Sequence, residues 1–309
     1  MIGISNLLKK CIIMELVNVL ISTYNGEKYI REQIDSILNQ SYKKIAIYVR
    51  DDGSTDGTLK ILEQYESKHQ ITLFHGENMG FGKSFLWLLK YTEQGDYWAF
   101  CDQDDIWERD KIQHAVDKLQ DMCDNEPNMY VHDFWITDEM LNPQYKYGNN
   151  IPEYSFQMAI TECLHMGFAI VFNKNFRRLM LKGDIEKLPS HDWWAELIAM
   201  EFGNIFVDEY IGAKHRRLDS SVSGNSLINR IKWFGRALEG DSEIPGLARE
   251  FQKTFDGDVR EEDRKVIGLF VTEHYDFVKA LKKTFYPKRW RSNMVSELVV
   301  RCLMLIGKI

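Results

Sequence analysis

The sequence predicts an α/β fold built on a mostly parallel central sheet. Three observations carry it: short apolar runs alternate with helical repeats through the first hundred residues, each run closes on a polar turn, and no run reaches the length of a membrane span. The first run, Leu16 to Ser22, has the Val/Leu/Ile content of a strand buried on both faces, and Asn25-Gly26 supplies the turn. Ile30, Ile34, Ile37 and Leu38 recur at helical spacing between Lys28 and Asn39. The next strand, Ile45 to Val49, ends on Asp51-Asp52-Gly53-Ser54. A helix over Thr58 to Lys68, a strand over Ile71 to Phe74, a helix over Gly82 to Glu93 and a strand over Tyr97 to Cys101 continue the alternation. Beyond it the sequence predicts a helix from Lys111 to Met122, strands at Met129 to Ile136 and Phe168 to Phe172, a helix from Asp192 to Glu201, and mostly helix from Ser226 onward. With no repeat or low-complexity linker, the two halves are expected to share one sheet.

Composition narrows the function. The 309 residues include 39 basic and 46 acidic side chains, a net charge of −7 that argues against a nucleic-acid binder. Aromatic residues make up 13%, with eight tryptophans, a supply that suits stacking on flat or ring-shaped ligands. Five cysteines without a C-x-x-C pair fit a reducing cytoplasm. The opening MIGISNLLKKCIIM lacks a cleavage site, and Met14, directly before the first strand, reads as an alternative start. The best candidate for a span, Met294 to Ile309, is interrupted by Glu297, Arg301 and Lys308.

In open α/β sheets ligands sit beyond the carboxyl ends of the strands, and here three such ends carry Ser22-Thr23-Tyr24, Asp51-Asp52 and Asp102-Gln103-Asp104-Asp105. In extended chain Asp102 and Asp104 point to one side. Paired carboxylates repel unless a cation neutralises them, and hard oxygen ligands suit Mg²⁺ or Mn²⁺ that also holds a diphosphate. The alternative is a solvated acidic turn. Asn78, Gly80, Gly82 and Lys83 open a helix as a glycine-rich loop, either a phosphate cradle or a plain connection.

The segments VNVLISTYNGEKYIREQIDSILNQSY, VRDDGSTDGT, ENMGFGKSF, WAFCDQDDIW, SHDWWAEL and KHRRLDSSVSG resemble, in order and spacing, the inverting family 2 glycosyltransferases of GT-A fold. The resemblance spans residues 15–225, and the CDQDDIW form is most similar to rhamnosyltransferases of cell-surface polysaccharides. It implies a nucleotide-sugar-binding half (15–107), an acceptor-binding half (108–225) and a helical C-terminal region (226–309), preceded by an extension at 1–14. Ser22, Thr23 and Tyr24 would lie beside base and ribose, with Asp52 accepting a hydrogen bond from uracil or thymine. Asp102 would stand near ribose or metal and Asp104 would ligate the metal, with Asp105 orienting the loop.

The resemblance also makes Asp192 the base that deprotonates the acceptor hydroxyl. His191, where the family more often has Glu, would join Trp193, Trp194 and Gly167 around the acceptor. His215 would meet metal or diphosphate, Arg216 the phosphates, and Ser220 to Asn225 would close over bound donor. The implied partners are a dTDP- or UDP-linked sugar, with dTDP-rhamnose preferred over UDP-glucose or UDP-galactose, and a surface glycan or lipid-linked glycan as acceptor.

From Lys279 to Ile309 eight basic residues stand against one acid, Glu297. This stretch reads either as an amphipathic segment on an anionic membrane, with the protein on its cytoplasmic side, or as an ordinary terminal helix. Two rivals remain: a haloacid-dehalogenase-type phosphatase, whose Asp-x-Asp normally follows the first strand, and a noncatalytic glycan-binding protein. A dinucleotide-binding dehydrogenase is disfavoured, because no G-x-G-x-x-G follows the first strand.

Overall fold

The computed structural model describes residues 14–151, 154–217, 235–239 and 242–309. The expected N-terminal extension up to residue 13 and the expected closing segment Ser220 to Asn225 lie outside the described residues. Strand β1 (Val17–Thr23) is buried along its whole length, as its Val/Leu/Ile content predicts. It pairs in parallel with β2 (Ile45–Asp51) on one side and β4 (Tyr97–Cys101) on the other, and β3 (Thr72–His75) extends the sheet beyond β2. Helices α1 (Ile30–Leu38), α2 (Thr58–Glu66) and α3 (Phe81–Tyr91) connect these strands; α1 buries Ile30, Ile34 and Ile37, the residues at helical spacing in the sequence.

The second half completes the same sheet. After the short β5 (Ile106–Trp107) and α4 (Lys111–Gln120) come β6 (Asn128–Thr137) and its hairpin partner β7 (Pro143–Tyr147), then α5 (Phe156–Ala159), β8 (Ile170–Asn173), α6 (Lys174–Met180), α7 (His191–Phe202) and β9 (Asn204–Arg216). The spatial order is β3-β2-β1-β4-β8-β6-β9-β5, with β7 on β6. One sheet therefore runs through both expected halves. Strand β8 is antiparallel to both neighbours.

Three strands, β5, β7 and β9, have no counterpart in the sequence reading. Strand β9 carries Asp208, Glu209, Lys214 and His215 along with Gly212, so no apolar run marks it. Gly212 lets β6 approach: a Cβ there would lie 2.6 Å from the His132 ring. Helices α8 (Ile244–Phe255), α9 (Glu261–Phe270), α10 (Phe277–Thr284) and α11 (Met294–Leu305) form the C-terminal region, as the sequence leads one to expect. No helix among the described residues is long and apolar enough to cross a membrane.

Candidate active site

The parallel register fixes the site. Ile21 pairs with Cys101 and Thr23 with Asp51, so the residues that follow β1, β2 and β4 emerge side by side at one sheet edge. Gln103 ties two of these loops together: its Oε1 accepts from the Thr23 hydroxyl (2.6 Å) and the Tyr24 N–H (3.0 Å), and its Nε2 donates to the Tyr24 carbonyl (3.2 Å). Ser22 and Thr23 are buried, with the Ser22 hydroxyl bonded to Ser84 (2.7 Å). Tyr24 is the member of the trio that stays open, at 46% exposure.

Asp52 is engaged within the protein. It pairs with the buried Arg50 guanidinium and accepts from the backbone N–H groups of Met79 (3.1 Å) and Gly80 (2.9 Å). Those amides are the ones a phosphate cradle would use, so the glycine-rich loop here clasps a carboxylate of its own chain. Gly80 holds φ at +83°, a conformation that favours glycine. Asp51 Oδ2 accepts from the Ser54 N–H (3.0 Å) in an Asx turn, whereas its buried Oδ1 has no partner among the described residues.

After Cys101 the chain turns rather than staying extended, and this changes which acidic groups meet. Ligand atoms of Asp102, Asp105 and His215 all lie within 4.8 Å of one another. Asp104, expected as the metal ligand from strand alternation, is not in that group, and Asp105, expected to orient the loop, takes its place. His215 arrives on β9, where pairing of Ile136 with His215 and of Ile106 with Lys214 delivers it to the acidic loop. Its Nδ1 lies 2.8 Å from Asp105 Oδ1, while Asp105 Oδ2 is buried without a partner among the described residues.

The cluster is short of positive charge. Burial drives Asp102 well above the usual carboxylate range, and Asp105, Asp104 and Asp192 push the same way. Burial, then Asp105, raises Asp104 to about 6. Burial works against a charge on His215, but Asp105, Asp102 and Asp104 outweigh it and raise the group to about 9. The carboxylates of Asp102 and Asp105 and the His215 imidazole, once a cation displaces its proton, are a donor set that fits Mg²⁺ or Mn²⁺.

Arg216, expected on the donor phosphates, is instead buried. It pairs with Glu32, stacks 4.7 Å from the Tyr29 ring centroid and donates to the Asp104 carbonyl (3.3 Å), fastening the acidic loop to α1. Beneath the loop Lys111, also buried, donates to the Phe168 carbonyl (2.7 Å) and lies 3.4 Å from the centre of the Trp107 ring. Burial depresses it to about 7. Arg50, Gln103 and Lys111 escaped the sequence reading. Arg50 alone had a legible signal, since residues two apart on a strand share a side and Arg50 is two before Asp52.

Helix α7 brings Asp192 close enough to add to the field at Asp102. Ser190 caps it, accepting from the Trp193 N–H (3.4 Å), and Asp192 Oδ1 accepts from the same N–H (2.8 Å). The residues expected to contact acceptor lie mostly in the core. Trp194 is fully buried among Phe251 and Phe255 with its indole N–H on the Met180 carbonyl (3.0 Å), and Trp193 donates to the Ala159 carbonyl (2.7 Å). His191 is wedged between Phe85 and Phe100 and against Gly167, where a Cβ would stand 2.4 Å from its Nε2. Burial pushes it down to about 4, so it is neutral at pH 7.

A profile described as glycosyl transferase family 2 matches residues 18–183. The chain is 26% identical over 232 residues to an uncharacterised glycosyltransferase of Rickettsia typhi, covering 73% of this chain and 71% of that protein. It is 44% identical over 104 residues to the dTDP-rhamnosyl transferase RfbG of Shigella flexneri, covering 32% of this chain and 36% of RfbG. Among solved structures, S. aureus TarS 1–349 in complex with UDP is similar with a TM-score of 0.57 at 18% identity, over 88% of this chain and 75% of that one. The mannosyltransferase PcManGT of Pyrobaculum calidifontis in complex with GDP-Man and Mn²⁺ is similar with a TM-score of 0.52 at 18% identity, over 82% and 68%. The two structural similarities speak to the fold alone.

Proposed function

The chain belongs to the family 2 glycosyltransferases, and on that premise we propose that it transfers one sugar, with inversion, from a pyrimidine nucleoside diphosphate to a bacterial surface glycan or its lipid-linked precursor. The observation that carries this reading is the charge-deficient cluster of Asp102, Asp105 and His215 at the strand ends, with the Asp192 carboxylate adding to its field. Residues 15–107 form the donor half, 108–225 the acceptor half and 226–309 a helical region. The preferred donor is dTDP-rhamnose, supported by the partial similarity to RfbG; a UDP-hexose is the second choice. The free cysteines Cys101, Cys123, Cys163 and Cys302 support a reducing, cytoplasmic setting.

In this reading Asp192 accepts the proton of the acceptor hydroxyl as that oxygen bonds to the anomeric carbon. The bond from the anomeric carbon to the diphosphate breaks, and its electron pair leaves on the diphosphate. Tyr24, held by Gln103, lies beside the base, and Arg216 acts through the acidic loop it fastens. Asp102, Asp105 and His215 would hold a divalent cation, which when bound offsets charge on the leaving diphosphate.

Calorimetric titration with UDP, dTDP and their sugar conjugates, each with and without Mn²⁺, tests the donor half. The reading expects metal-dependent binding with one preferred sugar, and no binding to any of them by folded protein overturns it. For the chemistry, Asp192→Asn should lower kcat by about 10²- to 10⁴-fold while nucleotide affinity holds. Near-normal turnover would remove Asp192 as the base.

A further inference from the structure

The last 35 residues leave an unusual surface. Among the described residues sixteen large apolar side chains are exposed, and nine of them lie between Tyr275 and Ile306. Helix α11 turns Val300, Leu303 and Met304 inward, yet Val295, Leu298 and Ile306 stand 67%, 64% and 56% exposed on its outer side. On α10 Val278, Lys282 and Phe285 follow one another down a single outer stripe, and Phe285 is 76% exposed. Between α9 and α10 a cavity of about 860 Å³ has Val266, Leu269, Leu281 and Phe285 among its lining and Lys265 and Lys282 at its rim.

Basic groups dominate this surface: its exposed acid, Asp276, caps α10 by accepting from the Lys279 N–H (3.0 Å). Glu297, the single acid from 279 to 309, is buried, paired with Arg301 and bonded to the N–H groups of Trp290 and Arg291 (both 2.8 Å). Lys283 is also internal, bonded to the Ile309 carbonyl, while Lys282, Lys288 and Arg289 are exposed. We propose that the outer face of α10 and α11, with the adjoining groove, docks on an anionic lipid bilayer. Apolar side chains enter the interface while the lysines meet lipid phosphates. A second copy of the chain fits this face poorly, because a twofold contact would set like charges against each other. A net charge of −7 repels the rest of the protein from such a membrane, so this face also orients it.

Docking here would bring the acceptor half to the lipid, a consequence that rests on the transferase reading above. The Thr161 hydroxyl donates to the Trp290 carbonyl and the Ser292 N–H to the Glu162 carboxylate (2.8 Å). Two and three residues on, the Leu164 and His165 N–H groups bond to Glu196 of α7, the helix that begins beside Asp192.

Flotation of the full chain with vesicles of phosphatidylcholine, alone or with phosphatidylglycerol, tests the proposal. The native protein should float with the anionic vesicles, be released at high salt and ignore the neutral ones. Replacing Phe285→Ser together with Leu298→Ser, both at exposed positions, should weaken binding about tenfold or more while nucleotide binding stays native. Equal flotation of the variant overturns the proposal. So does an absence of vesicle binding, or a dimer in light scattering that the same double substitution dissolves while vesicles bind neither protein. Flotation requires no sugar transfer, so failure of docking and failure of the transferase reading give separate results.

Discussion

The acidic loop after β4 and the first turn of α7, whose Asp192 adds to the field at Asp102, are both crowded with residue types that look functional. They differ in what the fold leaves unsatisfied: in α7 it is the neutral His191 ring, whose two nitrogens are buried without a partner among the described residues, and in the loop it is charge. Each α7 indole finds a backbone carbonyl within 3.0 Å, and its ring lies in the core. The 102–105 loop instead crowds carboxylates whose field raises Asp102, Asp104 and His215 together and leaves Asp105 Oδ2 without a partner among the described residues. Satisfied polar groups hold a structure together, whereas clustered unsatisfied charge awaits a ligand. On this criterion the acidic loop is the reactive side, and α7 contributes one carboxylate on a rigid support.

The sharpest way to break that contrast is to exchange Asp105 and Asp104. Losing a partner outside the ligand shell costs metal sites about 10- to 100-fold in affinity, so Asp105→Ala should cost Mn²⁺-dependent nucleotide binding at least that much. Asp104→Ala should cost less. The reverse order in titration calorimetry would restore the extended-strand reading of the loop. On the α7 side, Trp194→Ala should lower unfolding free energy by about 3–5 kcal/mol in a denaturant titration. An unchanged midpoint with a raised KM for acceptor would return that indole to the binding surface.

How legible each region was follows from the periodicity it obeys. The parallel strands β1 and β4 bury both faces throughout and β2 does so toward its carboxyl end, so their apolar runs and polar ends stood out, and with them the edge where the site lies. Strand β9 keeps one face half-open and carries charge throughout, so neither the strand nor the delivery of His215 by pairing with β6 was visible. Asp104 falls outside the Asp102, Asp105 and His215 group for a local reason: alternation holds only while the chain stays extended, and it turns after Cys101. The aromatic residues of α7 failed differently. Trp and His suit a binding wall and a core equally well, and only partners such as Met180, Phe251 and Gly167, brought in from distant segments, decide between them.

His191 gives the smallest effect and tests this last point. Its usual value is 6.5, and burial holds it near 4 in the folded protein. Between those values the unfolded chain takes up a proton that the native imidazole refuses. Its contribution is therefore intact above pH 6.5 and is lost as pH falls toward 4, by at most about 1.4 kcal/mol per pH unit. Other carboxylates titrate in the same window, so the informative quantity is the difference from His191→Leu. That substitution should flatten the acid slope measured by denaturant unfolding. If the two slopes coincide, the imidazole is reaching solvent or acceptor rather than packing between Phe85 and Phe100. The first turn of α7 would then have to be counted with the acidic loop as binding surface.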